Sequence, residues 1–108
     1  MVLDCWWLID VPNAVSVNLR FTDFETEEDF DLVTVYDGNT QFAPVLAILS
    51  GEHLQQTRFR ASSGQMLIHF SSDSSVGEDG FRATYSTTVF DGKWNEYFHS
   101  FADFFPML

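Results

Sequence analysis

The feature that most constrains this chain is an alternation of apolar and polar residues that recurs in short segments along its length. In residues 15–21 the apolar side chains alternate with Ser16, Asn18 and Arg20. A period of two residues places successive side chains on opposite faces of a half-buried strand. The same pattern, or a shorter candidate for it, occurs at residues 6–10, 32–36, 45–49, 57–61, 66–70 and 81–86. The sequence therefore predicts about seven short strands.

Turn-forming residues separate the predicted strands. They cluster at Pro12-Asn13, Asp37-Gly38, Ser50-Gly51, residues 62–64 and residues 77–80. Turns at this spacing are typical of an all-β sandwich. No strand alternates with a long helical pattern before residue 89, which disfavours a parallel α/β sheet. A chain of 108 residues is expected to form one such domain of antiparallel strands.

The last segment, residues 89–108, has a different period. Its apolar residues recur at intervals of three and four, the spacing of one helix face, and Asp91 is placed to cap the first turn. These residues are Phe90, Trp94, Tyr97, Phe98, Phe101, Phe104, Phe105 and Leu108. The sequence predicts a sandwich in residues 1–88, followed by a C-terminal amphipathic helix that packs on the sandwich, on a following domain or on a partner.

The chain is strongly acidic. Five basic residues against sixteen acidic ones give a net charge of -11, so the molecule as a whole repels a nucleic-acid backbone. The most acidic stretch, residues 21–31, lies between two predicted strands, and residues 71–80, rich in short oxygen donors, follow another. Loops at one end of a sandwich lie close together, so Glu27, Asp31 and Asp73 are expected to meet.

Calcium is the metal that suits these residues. It takes about six to eight oxygen ligands from carboxylates, carbonyls and water. Zinc prefers histidine and cysteine, and the three histidines here are scattered without ligand spacing. Charge and periodicity alone leave a second interpretation open, in which the acidic loops form a solvated rim that binds no metal.

Several ordered stretches of the chain resemble the CUB family of extracellular domains. They are Cys5-Trp6-Trp7-Leu8-Ile9 with Pro12, Val17-Asn18-Leu19-Arg20-Phe21 with Phe24, Asp31-Leu32-Val33-Thr34-Val35-Tyr36-Asp37-Gly38, Leu49-Ser50-Gly51, Phe70-Ser71-Ser72-Asp73 and Gly80-Phe81-Arg82-Ala83-Thr84-Tyr85. Several motifs in the family's order are far more specific than any single one. The resemblance implies an antiparallel β-sandwich of the jelly-roll type that lacks the family's leading strand.

The resemblance also implies a ligand set for calcium. Calcium-binding members of the family place carboxylates at the positions of Glu27, Asp31 and Asp73. The loop between Glu27 and Asp31 is shorter than in typical animal members, which leaves Glu25 as a substitute for Glu27. In calcium-dependent CUB complexes, an acidic group near the ion receives a lysine or arginine of the partner.

Cys5 is the only cysteine of the chain. In the family it would form a disulfide bond with a cysteine that lies upstream of this sequence, so we expect a reactive thiol or a partner outside the chain. The start of the chain lacks the pattern of a signal peptide, and no apolar run approaches the roughly 18 residues of a membrane span. If the parent protein is secreted, its signal is expected upstream.

The sequence contains none of the short motifs that commonly mark a catalytic site. Gly-x-Ser-x-Gly, Ser-x-x-Lys and His-Glu-x-x-His are all missing, so catalysis is not expected. The resemblance implies a calcium-dependent extracellular module of a larger multidomain protein, which recognises a protein or a glycan. Two alternatives stay open, namely a structural or adhesive β-sandwich without metal and an accessory domain of a secreted protease.

Overall fold

Eight β-strands make up the described part of the chain. A computed structural model describes residues 3–72 and 80–100. The strands are β1 (Leu3–Asp10), β2 (Ala14–Glu25), β3 (Leu32–Tyr36), β4 (Val45–Leu49), β5 (Arg58–Ala61), β6 (Gln65–Ser72), β7 (Gly80–Phe90) and β8 (Trp94–Ser100). The seven predicted strands are confirmed. Strand β2 is longer than predicted because a bulge between Phe21 and Asp23 shifts the alternation within it.

The strands form two four-stranded sheets. The first sheet has the order β1-β6-β3-β4, and the second has the order β5-β2-β7-β8. All strand pairs described are antiparallel, which confirms the predicted all-β antiparallel sandwich. Residues 3–72 and 80–100 contain no helix, and therefore none long and apolar enough to cross a membrane.

The core lies between the two sheets and contains the inward-facing residues of the alternating pattern. Its buried apolar side chains are Ile9, Val17, Leu19, Phe21, Val33, Val35, Phe59, Ala61, Met66, Ile68, Phe70, Phe81 and Ala83. The ring of Phe81 has its centroid 5.7 Å from that of Phe21, 5.8 Å from that of Phe70 and 5.9 Å from that of Trp7. Because these rings come from both sheets, the aromatic cluster joins one sheet to the other.

The helix predicted within residues 89–108 is wrong over Trp94–Ser100, which form the edge strand β8. Strand β8 pairs with β7 along its whole length, from Thr84 opposite Ser100 to Phe90 opposite Trp94. Strand β7 itself continues to Phe90, past residue 88. Residues 101–108, the remainder of the predicted helix, lie outside the described residues.

A tight turn explains why the aromatic spacing was misleading. Asp91, Gly92 and Lys93 connect β7 to β8, and Gly92 has a φ of 104°, a value that glycine adopts without a steric penalty. Asp91, the predicted helix cap, instead accepts a hydrogen bond from the Asn95 side chain at 2.9 Å. An Asp-Gly pair between strand-forming residues is a hairpin signal. As a strand, β8 forms backbone hydrogen bonds with the otherwise unpaired edge of β7, which a helix in this segment would leave without partners.

We expect Phe81→Ala to destabilise the domain by about 3–5 kcal/mol, because it opens a cavity where the two sheets meet. Phe42→Ala is the matched control, since Phe42 is 87% exposed in the loop before β4. Its effect should stay within about 0.5 kcal/mol. Urea unfolding followed by tryptophan fluorescence measures both changes. Equal losses of stability in the two variants would contradict the described core.

Candidate functional site

The loop between β2 and β3 forms one compact turn at the end of the sandwich. The backbone N–H groups of Phe30 and Asp31 both donate to the carbonyl oxygen of Glu27, at 3.2 Å and 2.9 Å. Asp29 has a φ of 67°, in the left-handed region that aspartate tolerates better than most residues. Its backbone N–H donates to the Ser50 hydroxyl at 3.2 Å. The turn, called the acidic turn below, therefore begins at Glu27 and ends at Asp31.

The carboxylate of Asp31 is buried at this end of the sandwich, with 2% of the residue exposed. Its Oδ1 accepts a hydrogen bond from the Ser72 hydroxyl at 2.8 Å, and its Oδ2 accepts one from the backbone N–H of Glu27 at 3.3 Å. Each oxygen has a second lone pair that these bonds do not use. The carboxylate is thus oriented by the protein and still able to accept a further contact.

Thr26 connects this turn to the loop that follows β4. Its hydroxyl donates to the carbonyl oxygen of Asp31 at 3.1 Å and accepts from the backbone N–H of Gly51 at 3.0 Å. Its backbone N–H donates to the carbonyl oxygen of Gly51, also at 3.0 Å. Because Thr26 is only 3% exposed, water does not compete for these bonds. The acidic turn is therefore fixed to a neighbouring loop as well as to β6.

Glu27 and Asp31, two of the three predicted calcium ligands, lie at the two ends of the same turn, and their role as ligands stays a prediction. Glu27 is half-buried and lies next to Asp31 through the bond between its backbone and the Asp31 carboxylate. Asp73 lies outside the described residues, although it directly follows Ser72. Glu25, the proposed substitute, ends β2 opposite Gly80. Within residues 3–72 and 80–100, no group of three His, Cys, Asp or Glu side chains has the arrangement of a metal site.

The end of the sandwich that carries the acidic turn and the end of β6 is called the loop end below. Its oxygen atoms nevertheless suit a hard cation. The oxygens of Asp31 are fixed in position by bonds that leave lone pairs available. In metal sites, a carboxylate that binds the metal is regularly oriented by hydrogen bonds from neighbouring groups. Glu27 adds a second carboxylate at the same turn. These residues fit calcium as part of a ligand set, in which further oxygens must come from other groups or from water.

Thr26 and Ser72 also belong to the site, although no sequence motif singled them out. Both are polar residues that are almost completely buried, since 3% of Thr26 and 2% of Ser72 is exposed. Thr26 stands one position after β2, and Ser72 is the last residue of β6. A polar side chain at the end of a strand, next to a candidate carboxylate ligand, is the signal that points to such supporting residues.

Cys5 lies in β1 opposite Phe70, half-buried and packed against the core. The sequence has no second cysteine with which Cys5 could form a disulfide bond within this chain. The expectation that it reacts or pairs outside this chain stays a prediction. Elsewhere in β1, Asp4 contacts the Nε2 atom of His69 on the outer face of the first sheet.

Two sheets with a carboxylate-bearing loop end define a β-sandwich module with a candidate cation site. A sequence profile of the CUB domain family matches residues 2–85. The chain is 37% identical over 90 residues to Multiple epidermal growth factor-like domains protein 8 of Homo sapiens. It is 34% identical over 88 residues to Tolloid-like protein 1 of Mus musculus, and 33% identical over 87 residues to Cubilin of Sus scrofa.

The chain belongs to the CUB domain family, since the matched profile extends over most of its length. CUB domains are non-catalytic interaction modules. The three alignments cover 82%, 78% and 77% of this chain, but only 3%, 9% and 2% of the respective relatives. The match therefore concerns one module of much larger proteins.

We expect Thr26→Val to destabilise the domain by about 1–3 kcal/mol, because it removes the buried Thr26 hydroxyl and leaves the part-buried N–H of Gly51 without its acceptor. Thr22→Val is the matched control, since the Thr22 hydroxyl donates to Arg82 in an exposed position. The two substitutions are chemically identical and differ in burial. Urea unfolding should show a clearly lower midpoint for Thr26→Val alone, and equal midpoints would contradict the described role of Thr26.

Proposed function

We propose that this chain is a calcium-dependent recognition module of a larger extracellular protein, and that its ligand is a protein presenting lysine or arginine near the ion. The observation that carries the proposal is the buried carboxylate of Asp31, which two hydrogen bonds orient at the loop end. An exposed acidic rim would need no such support, because solvent satisfies its carboxylates. The support given to Asp31 favours a binding site over a solvated rim.

Calcium would be held by Glu27, Asp31 and Asp73, with water and backbone carbonyls completing its oxygen ligands. Asp31 meets the requirements of a ligand best, since its position is fixed by β6 and by the acidic turn. Bound calcium would supply positive charge that relieves the repulsion among these carboxylates. It would also connect the acidic turn to the segment that begins at Asp73.

A basic side chain is the partner group that suits this loop end. The chain carries a net charge of -11, which speeds encounter with a basic surface. A carboxylate oxygen that the metal does not use accepts a charge-assisted hydrogen bond from lysine or arginine. The family relation to Tolloid-like protein 1 and Cubilin supports a place in a large extracellular protein. The recognised protein is thus expected to insert a basic side chain beside the ion.

We expect calcium to bind with a dissociation constant of about 10⁻⁴ to 10⁻³ M, the range of extracellular calcium modules. Asp31→Asn and Asp73→Ala should each weaken binding about ten-fold or more, because each removes a charged ligand. Isothermal titration calorimetry measures both. Asp10→Asn is the control, since Asp10 pairs with Gln65 at the opposite end of β1. Unchanged affinity in Asp73→Ala, which leaves the Asp31 network intact, would contradict the proposed ligand set.

We expect an immobilised peptide with a single lysine to retain the chain in calcium and to release it when calcium is chelated. The matched peptide carries norleucine in place of lysine, so that it keeps the aliphatic stem and loses the charge. Surface plasmon resonance compares the two peptides. Retention that survives chelation, or that is equal for norleucine, would show that the contact does not depend on the ion and the basic group together.

A further inference from the structure

The arginines of this acidic chain are concentrated on one surface. The sequence has five basic residues, and four of them are arginines. Arg20 lies on β2, Arg58 and Arg60 on β5, and Arg82 on β7. All four are exposed, and the strand register places them on the outer face of the second sheet, away from the core. An acidic molecule therefore has one locally basic face.

The arrangement of these arginines is electrostatically unfavourable for the isolated chain. Arg20 is the direct cross-strand partner of Arg58, and like charges in directly opposed positions destabilise a sheet. Arg82 forms an ion pair with Asp23, at 3.4 Å between Nη1 and Oδ2. Among residues 3–72 and 80–100, no such pair involves Arg20, Arg58 or Arg60. The guanidinium groups of these three arginines, called the arginine face below, remain available to an anionic partner.

A groove extends from the arginine face across the second sheet. It has a volume of about 430 Å³, and Arg20, Arg58, Thr84, Ser86, Glu96 and Phe98 are among its lining residues. Residues on three adjacent strands lie in a row along this groove, since Asn18 of β2 pairs with Ser86 of β7, and Ser86 pairs with Phe98 of β8. Phe98 is 79% exposed. The groove is therefore basic at the β5 end and aromatic at the β8 end.

We propose that this groove binds an acidic peptide segment of a partner protein in an extended conformation. Its carboxylates would contact Arg20 and Arg58, because a guanidinium group binds a carboxylate with two parallel hydrogen bonds. An apolar side chain of the same segment would cover Phe98. The three strand spacings from β5 to β8 amount to about 14 Å. An extended chain covers that distance in about four residues.

Glu96 favours a peptide over a sulfated polysaccharide as the ligand of this groove. It lines the groove near Phe98, and its Oε1 accepts a hydrogen bond from the Ser86 hydroxyl at 2.9 Å. A polymer with negative charge along its whole length would place some of that charge against Glu96. It would also experience the repulsion of a molecule with a net charge of -11. A peptide with charge at one end and an apolar residue at the other matches both ends of the groove.

The test measures fluorescence anisotropy of a labelled peptide with two adjacent glutamates and, about four residues later, a leucine. We expect the complete chain to bind it at low ionic strength and to lose affinity as salt is added. Arg58→Gln should weaken binding about two- to five-fold, and a variant with Arg20→Gln added should weaken it about ten-fold. Lys93→Gln, in the β7–β8 turn, is the matched control and should change nothing.

Stability provides a second readout, because relief of the Arg20–Arg58 repulsion should raise the melting temperature. We expect Arg58→Gln to raise it by about 1–4 °C while it weakens peptide binding. A purely structural arginine would lower stability and leave binding unchanged.

Three results would overturn the proposal. Arg58→Gln and Lys93→Gln could weaken binding equally, a sulfated oligosaccharide could bind more tightly than the peptide, or calcium chelation could abolish peptide binding. The last result would show that the peptide binds at the proposed calcium site of the loop end and not in the groove.

Discussion

The carboxylate of Asp31 is the contact on which the loop end of the sandwich depends. It is almost completely buried, and a buried polar group without partners costs about 1–3 kcal/mol, or more when it is charged. Hydrogen bonds from Ser72 and from the backbone of Glu27 offset that cost. They also connect β3, β6 and the acidic turn. The turn is therefore held in one arrangement, which reduces the ordering that a ligand would otherwise have to impose.

The two-sheet architecture separates two surfaces of opposite charge. Carboxylates collect where β2 ends and β3 begins, because the acidic residues lie in the connecting turn. Arginines instead occupy outward positions within the strands of the second sheet, since alternate positions there are filled by core residues such as Leu19 and Phe59. A module of this kind would present an acidic end to one partner and a basic face to another. The two contacts would not compete for the same residues.

Most of the fold could be predicted from the sequence because burial of one sheet face imposes a two-residue period, which is visible in single segments such as residues 66–70. The hairpin of β7 and β8 was missed because residues on either side of the turn at Gly92 happened to match helical spacing. Glu27 and Asp31 were predicted as calcium ligands from the acidic loop together with the resemblance to the family, and their role as ligands stays a prediction. The hydrogen bonds of Thr26 were not, because they depend on a loop far away in sequence.

¹H–¹⁵N NMR spectra recorded during a calcium titration test whether Asp31 organises a calcium site at one end of the sandwich. The backbone N–H groups of Glu27 and Gly51 report on the acidic turn and on the loop bonded to it. If calcium binds there, we expect saturable shifts concentrated at Glu27, Asp31 and Gly51, with the signal of Asp10 at the opposite end unchanged. Small shifts that do not saturate and that affect Asp10 as much as Asp31 would contradict calcium binding at this end.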